Sequence, residues 1–250
     1  MSKIHLVGCG ALGSVLALEA VKRFRSVGSQ SELHLYDSDT VQDRNVAAQN
    51  FSPRHVGQPK VDAVAEQLED YDIIKVVKHK VRLTQENIMS ELSLGEGDIL
   101  IDAVDNIPTR QLLWTLGVSG VVPVMHVGMA QAGTGNVTWN FRGFDTFPLS
   151  PQYALDAHEA AQHKPEEEAD EELGVQQLPP CELSARRSLI LNTAMAAVNS
   201  LFIFRGQDIT NEMQELTQGE IFTRLVTCWD STMYGHTCVK RKDTMAVFEE

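Results

Sequence analysis

Basic residues are in short supply: 21 Lys and Arg stand against 34 Asp and Glu, a formal net charge of −13 over 250 residues. Such a field repels phosphate backbones and anionic membrane surfaces at long range, which makes nucleic acid and membranes poor partners. Cysteine is scarce as well. Cys9, Cys181, Cys228 and Cys238 are the four, and their spacing describes no disulfide framework. With no charged-then-apolar leader ahead of the first apolar segment, a reducing cytoplasm is the expected compartment. Long apolar runs are missing too. The longest candidate, 189–204, is broken by Asn192, Thr193, Asn199 and Ser200, so it reads as a helix buried in protein rather than a membrane span. There is no internal repeat, and the eight histidines show no metal-ligand spacing.

What the chain does have is an apolar run, Ile4-His5-Leu6-Val7, leading straight into Gly8-Cys9-Gly10-Ala11-Leu12-Gly13 and a segment of helical composition from Ser14 to Arg25. In a strand–G-x-G-x-x-G–helix unit the first glycine allows the tight turn and the second lets the backbone approach a pyrophosphate. The third lets helix and strand pack closely, with the helix N-terminal amides facing an anion. The next apolar run, Leu33 to Tyr36, ends in Asp37, about where a dinucleotide fold places its ribose-binding carboxylate.

Short β-rich runs alternate with helical stretches through the first half. Strands are expected at 73–81, 98–101 and 121–126, and helices at 60–69, 85–92 and 109–116. This alternation predicts an α/β, Rossmann-like fold, a mostly parallel sheet with helices on both faces. Residues 133–141 alternate like a half-buried strand. The expected organisation is a nucleotide-binding core over 1–150, a flexible acidic crossover loop over 151–181 containing Glu166 to Glu172, and a long helix with C-terminal strands over 182–250 that completes the same domain as a small β-rich extension.

Three further blocks fall at or beyond strand ends, where open α/β sheets collect ligands: Asp37-Ser38-Asp39-Thr40-Val41 running on to Asn45-Val46-Ala47-Ala48-Gln49, then Gly57-Gln58-Pro59-Lys60, then Asp102-Ala103-Val104-Asp105-Asn106 with Arg110. Hydride transfer alone needs no such charge cluster around phosphates. In these blocks and their order the chain resembles the ThiF, MoeB and HesA family, bacterial relatives of ubiquitin-activating enzymes. The likeness covers about 3–135 and extends to 181–204.

The resemblance implies an ATP-dependent adenylyltransferase that activates a carboxylate, usually the C-terminus of a ubiquitin-like or sulfur-carrier protein, with pyrophosphate release. It assigns Gly8, Gly10 and Gly13 to the phosphate cradle, Asp37 to the ribose, Lys60 to neutralising the phosphates, and Asp105 to magnesium. Asp39, Arg44, Asn45, Gln49 and Asn106 join the ATP contacts. A homodimer, or a heterodimer with a related subunit, is implied as well. Cys181, placed between the acidic loop and the long helix, is a candidate thioester acceptor.

Two departures stand out. Ala48 occupies the place of the family's arginine in N-L-x-R-Q, and the first strand opens at once, without the preceding helix that offers another arginine across a dimer interface in many members. Arg44 and Arg54 are the candidate compensating cations. The family's two C-x-x-C pairs are missing, so no structural zinc is expected. Two alternatives stay open on these residues: a catalytically degenerate nucleotide-binding scaffold or heterodimer partner, and an NAD(P)-dependent oxidoreductase.

Overall fold

The computed structural model describes residues 2–28, 31–72, 74–129, 134–140, 187–205, 227–232 and 235–238. Among them runs one sheet. Its strands are β1 (Lys3–Val7), β2 (Ser31–Tyr36), β3 (Ile74–His79), β4 (Ile99–Asp102), β5 (Val124–Met129), β6 (Thr134–Asn140), β7 (Thr227–Thr232) and β8 (Gly235–Cys238). They lie in the order β3-β2-β1-β4-β5-β6-β7-β8. The first five are parallel, and β6 to β8 follow antiparallel.

Parallel strands covered on both faces need apolar residues at odd and even positions alike, and β4 shows why its run is continuous. Ile99 and Ile101 face one core and Leu100 the other. The first core is closed by α1 (Ala11–Val27), α3 (Lys60–Leu68) and α6 (Arg187–Phe204), the second by α4 (Ile88–Leu92) and α5 (Ile107–Val118). Helices therefore sit on both faces, as the alternation predicts.

Small residues bring α1 and α6 together: Ala17, Ala20, Ala194 and Ala197 are buried between them, and the Phe24 and Phe202 rings lie 4.7 Å apart. Val21, Leu201 and their like contribute on the order of 1.5–3 kcal/mol each by burial. The described part of the long C-terminal helix is thus a wall of the first core, and Trp139 of β6 locks onto it through Nε1–H to Ser200 Oγ at 2.8 Å. Gly28, in the left-handed conformation at φ 64°, ends α1.

Two short elements have no counterpart in the expectations, α2 (Asp43–Ala48) and a 3-10 turn at Pro53–His55. The acidic crossover loop and Cys181 lie outside the described residues, as do 182–186, where the long helix is expected to begin. No described helix is long and apolar enough to cross a membrane.

From β1 the chain builds outward to β2 and β3, then returns to place β4 on the other side of β1. The reversal between β1 and β4 opens a crevice at the strands' C-terminal ends, the position where doubly wound sheets bind ligands.

Candidate functional site

The glycine turn closes over the sheet edge by contacts that only glycine tolerates. Gly8 has φ 95°, and a Cβ there would meet the Ala103 carbonyl oxygen at 2.6 Å. At Gly13 a Cβ would fall 1.8 Å from the Gly8 oxygen, so the first turn of α1 presses onto the turn itself. Gly10 is different: the nearest atom to its would-be Cβ is Gln49 Nε2 at 4.0 Å, leaving its backbone open to a ligand. The thiol of Cys9 between them is buried and pushed well up by that burial, so it is no nucleophile at neutral pH.

Asp37, at the end of β2, accepts the Cys9 amide at 2.8 Å and the Asp39 amide at 2.8 Å. Burial pushes its carboxyl up, against the opposing pull of Lys60 and the two amides. Lys60 opens α3, and an isolated bridge between Thr40 and Pro59 draws that helix start toward the strand end. Its Nζ donates to Asp39 Oδ2 at 2.9 Å from a buried position.

Across the crevice a buried charge cluster shapes the loop after β4. Asp102 is fully buried, bonded to His126 Nδ1 at 2.7 Å and the Val104 amide at 3.1 Å, and ion-paired with Arg110, whose Nε lies 3.0 Å away. Burial alone would push the Asp102 carboxyl up; Arg110, His126 and the amide outweigh it and hold it below the usual range. Arg110 Nη2 also donates to the Val104 carbonyl and, at 3.1 Å, to that of Val127. One guanidinium therefore ties the loop bearing Asp105 to the end of β5. Asn106 caps α5, its Oδ1 accepting the Thr109 amide at 3.0 Å.

These parts line one cavity of about 300 Å³, at the lower end of the size range of small-molecule sites. Gly8, Gly10, Asp37, Asp39, Lys60, Asp105 and Asn106 all border it. Its apolar end is made by Val7, Tyr36, Val81, Leu83 and Val104, members or neighbours of the second core, beside Asp37. Among the described residues three cations line it: Lys60, Arg82 and Arg110. Lys60 and Arg110 are ion-paired.

Other expected residues stand elsewhere. Gly13 supports the turn from below. Asn45 is buried in α2, its Oδ1 accepting the Gln42 amide at 2.8 Å. Gln49 sits behind Gly10. Arg44 is exposed and does not line the cavity. Arg54 is drawn away by Glu66, 3.2 Å from its guanidinium, so it does not line the cavity either. The reading from sequence assigned no role to Arg82, Tyr36 or the Asp102–His126–Arg110 cluster. Arg82 and Tyr36 carry no spacing signal, whereas Asp102 and Arg110 are the outer letters of the D-x-x-D-N-x-x-x-R block.

With turn, strand-end aspartate, lysine and Asp-Asn loop assembled around one crevice, comparison with known proteins is decisive: residues 1–201 match the ThiF family. The chain belongs to the ThiF family. It is 30% identical over 144 residues to the adenylyltransferase and sulfurtransferase MOCS3 of Aedes aegypti, covering 57% of this chain and 31% of that protein. Over 134 residues it is 31% identical to the human ubiquitin-like modifier-activating enzyme 6, covering 50% of this chain and 12% of that one. The chain thus spans less than a third of the length of these curated relatives.

Among solved structures its fold is similar to that of PaaA, with a TM-score of 0.63 at 17% identity over 95% of this chain and 72% of that one. It is similar also to E. coli MccB with ATP, at 0.60 and 15% over 85% and 58%. At these identities the likeness concerns the ThiF-like fold.

Proposed function

We propose that this ThiF-family chain is an ATP-dependent adenylyltransferase that activates the C-terminal carboxylate of a ubiquitin-like or sulfur-carrier protein. The observation that carries the reading is the convergence of the open glycine turn, Asp37, Lys60 and Asp105 on one cavity. Relatives support it. MOCS3 is named an adenylyltransferase, and E. coli MccB has been crystallised with ATP and with AMPCPP and MccA.

In this reading the purine occupies the slot of Val7, Tyr36, Val81, Leu83 and Val104, and Asp37 accepts from the ribose hydroxyls. The phosphates lie over Gly8 to Gly10 at the N-terminus of α1, whose unpaired amides favour negative charge. A carboxylate oxygen attacks the α-phosphorus, an O–P bond forms, the bond to the β-phosphate breaks and pyrophosphate leaves. Two anions are pushed together in that step, so catalysis is positioning plus charge neutralisation. Lys60 supplies a cation, held in place by Asp39 at 2.9 Å.

Asp105 is the residue that would hold magnesium. No group of three or more metal-ligating side chains occurs among the described residues. That donor set fits an ion that takes one or two carboxylates and completes its shell with phosphate oxygens and water. When bound, magnesium supplies further charge neutralisation at the phosphates. The Arg110 guanidinium keeps the Asp105 loop in register with β5. A homodimer, a cytoplasmic setting and an acyl-accepting Cys181 belong to the same proposal.

The test is ATP/pyrophosphate exchange with magnesium and a candidate carrier. Exchange that is lost in Lys60→Ala and Asp105→Ala is the expected result. ATP binding without exchange for any carrier would favour the degenerate scaffold that Ala48 permits, and binding of reduced nicotinamide in preference to ATP would favour redox chemistry.

A further inference from the structure

Ala48 leaves the end of α2 without a cation, and the fold brings one there from the far end of the chain. Arg187, the first residue of α6, donates from Nη2 to Asn50 Oδ1 at 3.0 Å across 137 residues of sequence. Asn50 is two residues beyond Ala48 and is fixed on both sides. Its amide donates to Ser14 Oγ in the first turn of α1 at 3.4 Å, and its Nδ2 donates to Gln67 Oε1 at 2.8 Å. Gln49, next to it, holds its Nε2 4.0 Å from where a Cβ on Gly10 would stand. The guanidinium therefore reaches the residue that links the end of α2 to the first turn of α1, outside the side chains that line the cavity.

Its charge is also uncommitted. Arg187 is exposed, its hydrogen-bond partner is a neutral amide, and no carboxylate pairs with it among the described residues. The other cations near the crevice differ. Lys60 is held by Asp39, Arg110 by Asp102 and Arg54 by Glu66. Arg82 lines the cavity between Val81 and Leu83. Arg44 stands one turn before Ala48, about 6 Å along the axis of α2, and is exposed.

We propose that Arg187 supplies the guanidinium that binds the β- and γ-phosphates of ATP and stabilises the leaving pyrophosphate, in place of the arginine that Ala48 lacks. The inference rests on the ATP site proposed above. A fork-shaped, permanently charged donor suits this task, since it can hold two phosphate oxygens at once. Delivered by α6 rather than α2, it makes phosphate binding depend on the packing of the C-terminal helix against α1.

The experiment compares ATP and AMP binding by calorimetry, with magnesium, in the whole chain. Arg187→Gln keeps a neutral donor for Asn50 and removes the charge. The expected result is ATP weakened roughly 10- to 100-fold, with AMP affected less than about twofold. Adding Ala48→Arg to Arg187→Gln restores ATP binding. Equal weakening of ATP and AMP shows that Arg187 only braces α6 against Asn50 and overturns the proposal. So does unchanged ATP binding in Arg187→Gln. If the unaltered chain binds no ATP, the site assignment itself fails and this inference falls with it.

Discussion

Replacing Arg110 with alanine strands a carboxylate that the fold has hidden completely. Asp102 has no exposure, and of its charge partners the guanidinium carries a permanent charge. Breaking a buried pair by removing one partner costs about 3–5 kcal/mol, because the remaining charge stays buried and uncompensated. The same change removes the donors to the Val104 and Val127 carbonyls, worth on the order of 1 kcal/mol each. Arg110→Ala is therefore expected to lower stability by about 5–7 kcal/mol at pH 7 in urea unfolding.

The deficit has a pH signature. In the intact chain the Asp102 carboxyl sits below its usual range, so its stabilisation is present above an unfolded value near 3.8 and is lost as pH falls through the folded one. Without Arg110, burial dominates and pushes the carboxyl up. The variant then gains stability relative to the intact chain as pH falls from 7 toward 4, when Asp102 takes a proton. Asp102→Asn added to Arg110→Ala should recover part of the loss, since it neutralises the stranded charge. A loss under about 1 kcal/mol, a deficit independent of pH, or strictly additive effects of the two substitutions would show that Arg110 does not compensate the buried Asp102 charge.

Other perturbations follow from the same geometry. Gly13→Ala places a methyl on the Gly8 carbonyl oxygen and should cost at least about 1–3 kcal/mol in thermal unfolding; a neutral result would mean that turn and helix are not pressed together. His5 is buried and its pKa is lowered to about 4, by burial first and by His34 against the pull of Asp98. The unfolded chain therefore binds a proton near pH 6.5 that the folded one refuses, and stability falls as pH drops from about 6.5 to about 4, by on the order of 3 kcal/mol. His5→Gln should flatten that slope in urea titrations, and an unchanged slope would count against it. Asp37→Ala should weaken ATP and AMP alike, about tenfold, because Asp37 stands at the ribose end; selective loss of ATP would move it to the phosphates.

Much of this fold can be read along the chain because its signals are local. The runs at 4–7, 33–36 and 98–101 are short, apolar and bounded by turn residues, and a strand that is buried on both faces needs nothing more. The glycine triplet likewise reports contacts within a few residues of itself. Where partners are remote, the pattern says nothing. The antiparallel register of β5 and β6, with Val124 opposite Asn140, leaves no mark on either run. Helix α2 spans only six residues, too few for an apolar period to show, and Arg54 looks as close to the crevice as Arg44 until Glu66 one helix later claims it. The Asp102–Arg110–His126 cluster joins a strand end, a helix and a second strand, and Arg187 meets Asn50 only because α6 packs on α1. Such groupings are properties of packing, and the burial of Asp102 is what turns a surface-type residue into a structural hinge of the site.

In the proposed ATP complex Lys60 and Asp105 face one triphosphate laid over Gly8 to Gly10. A crystal structure of the chain with magnesium and a non-hydrolysable ATP analogue tests it most directly. The expected result is phosphate oxygens within hydrogen-bond distance of Lys60 Nζ and a magnesium ion on the Asp105 carboxylate. A nucleotide whose phosphates turn away from both side chains, or one bound outside this crevice, would contradict it.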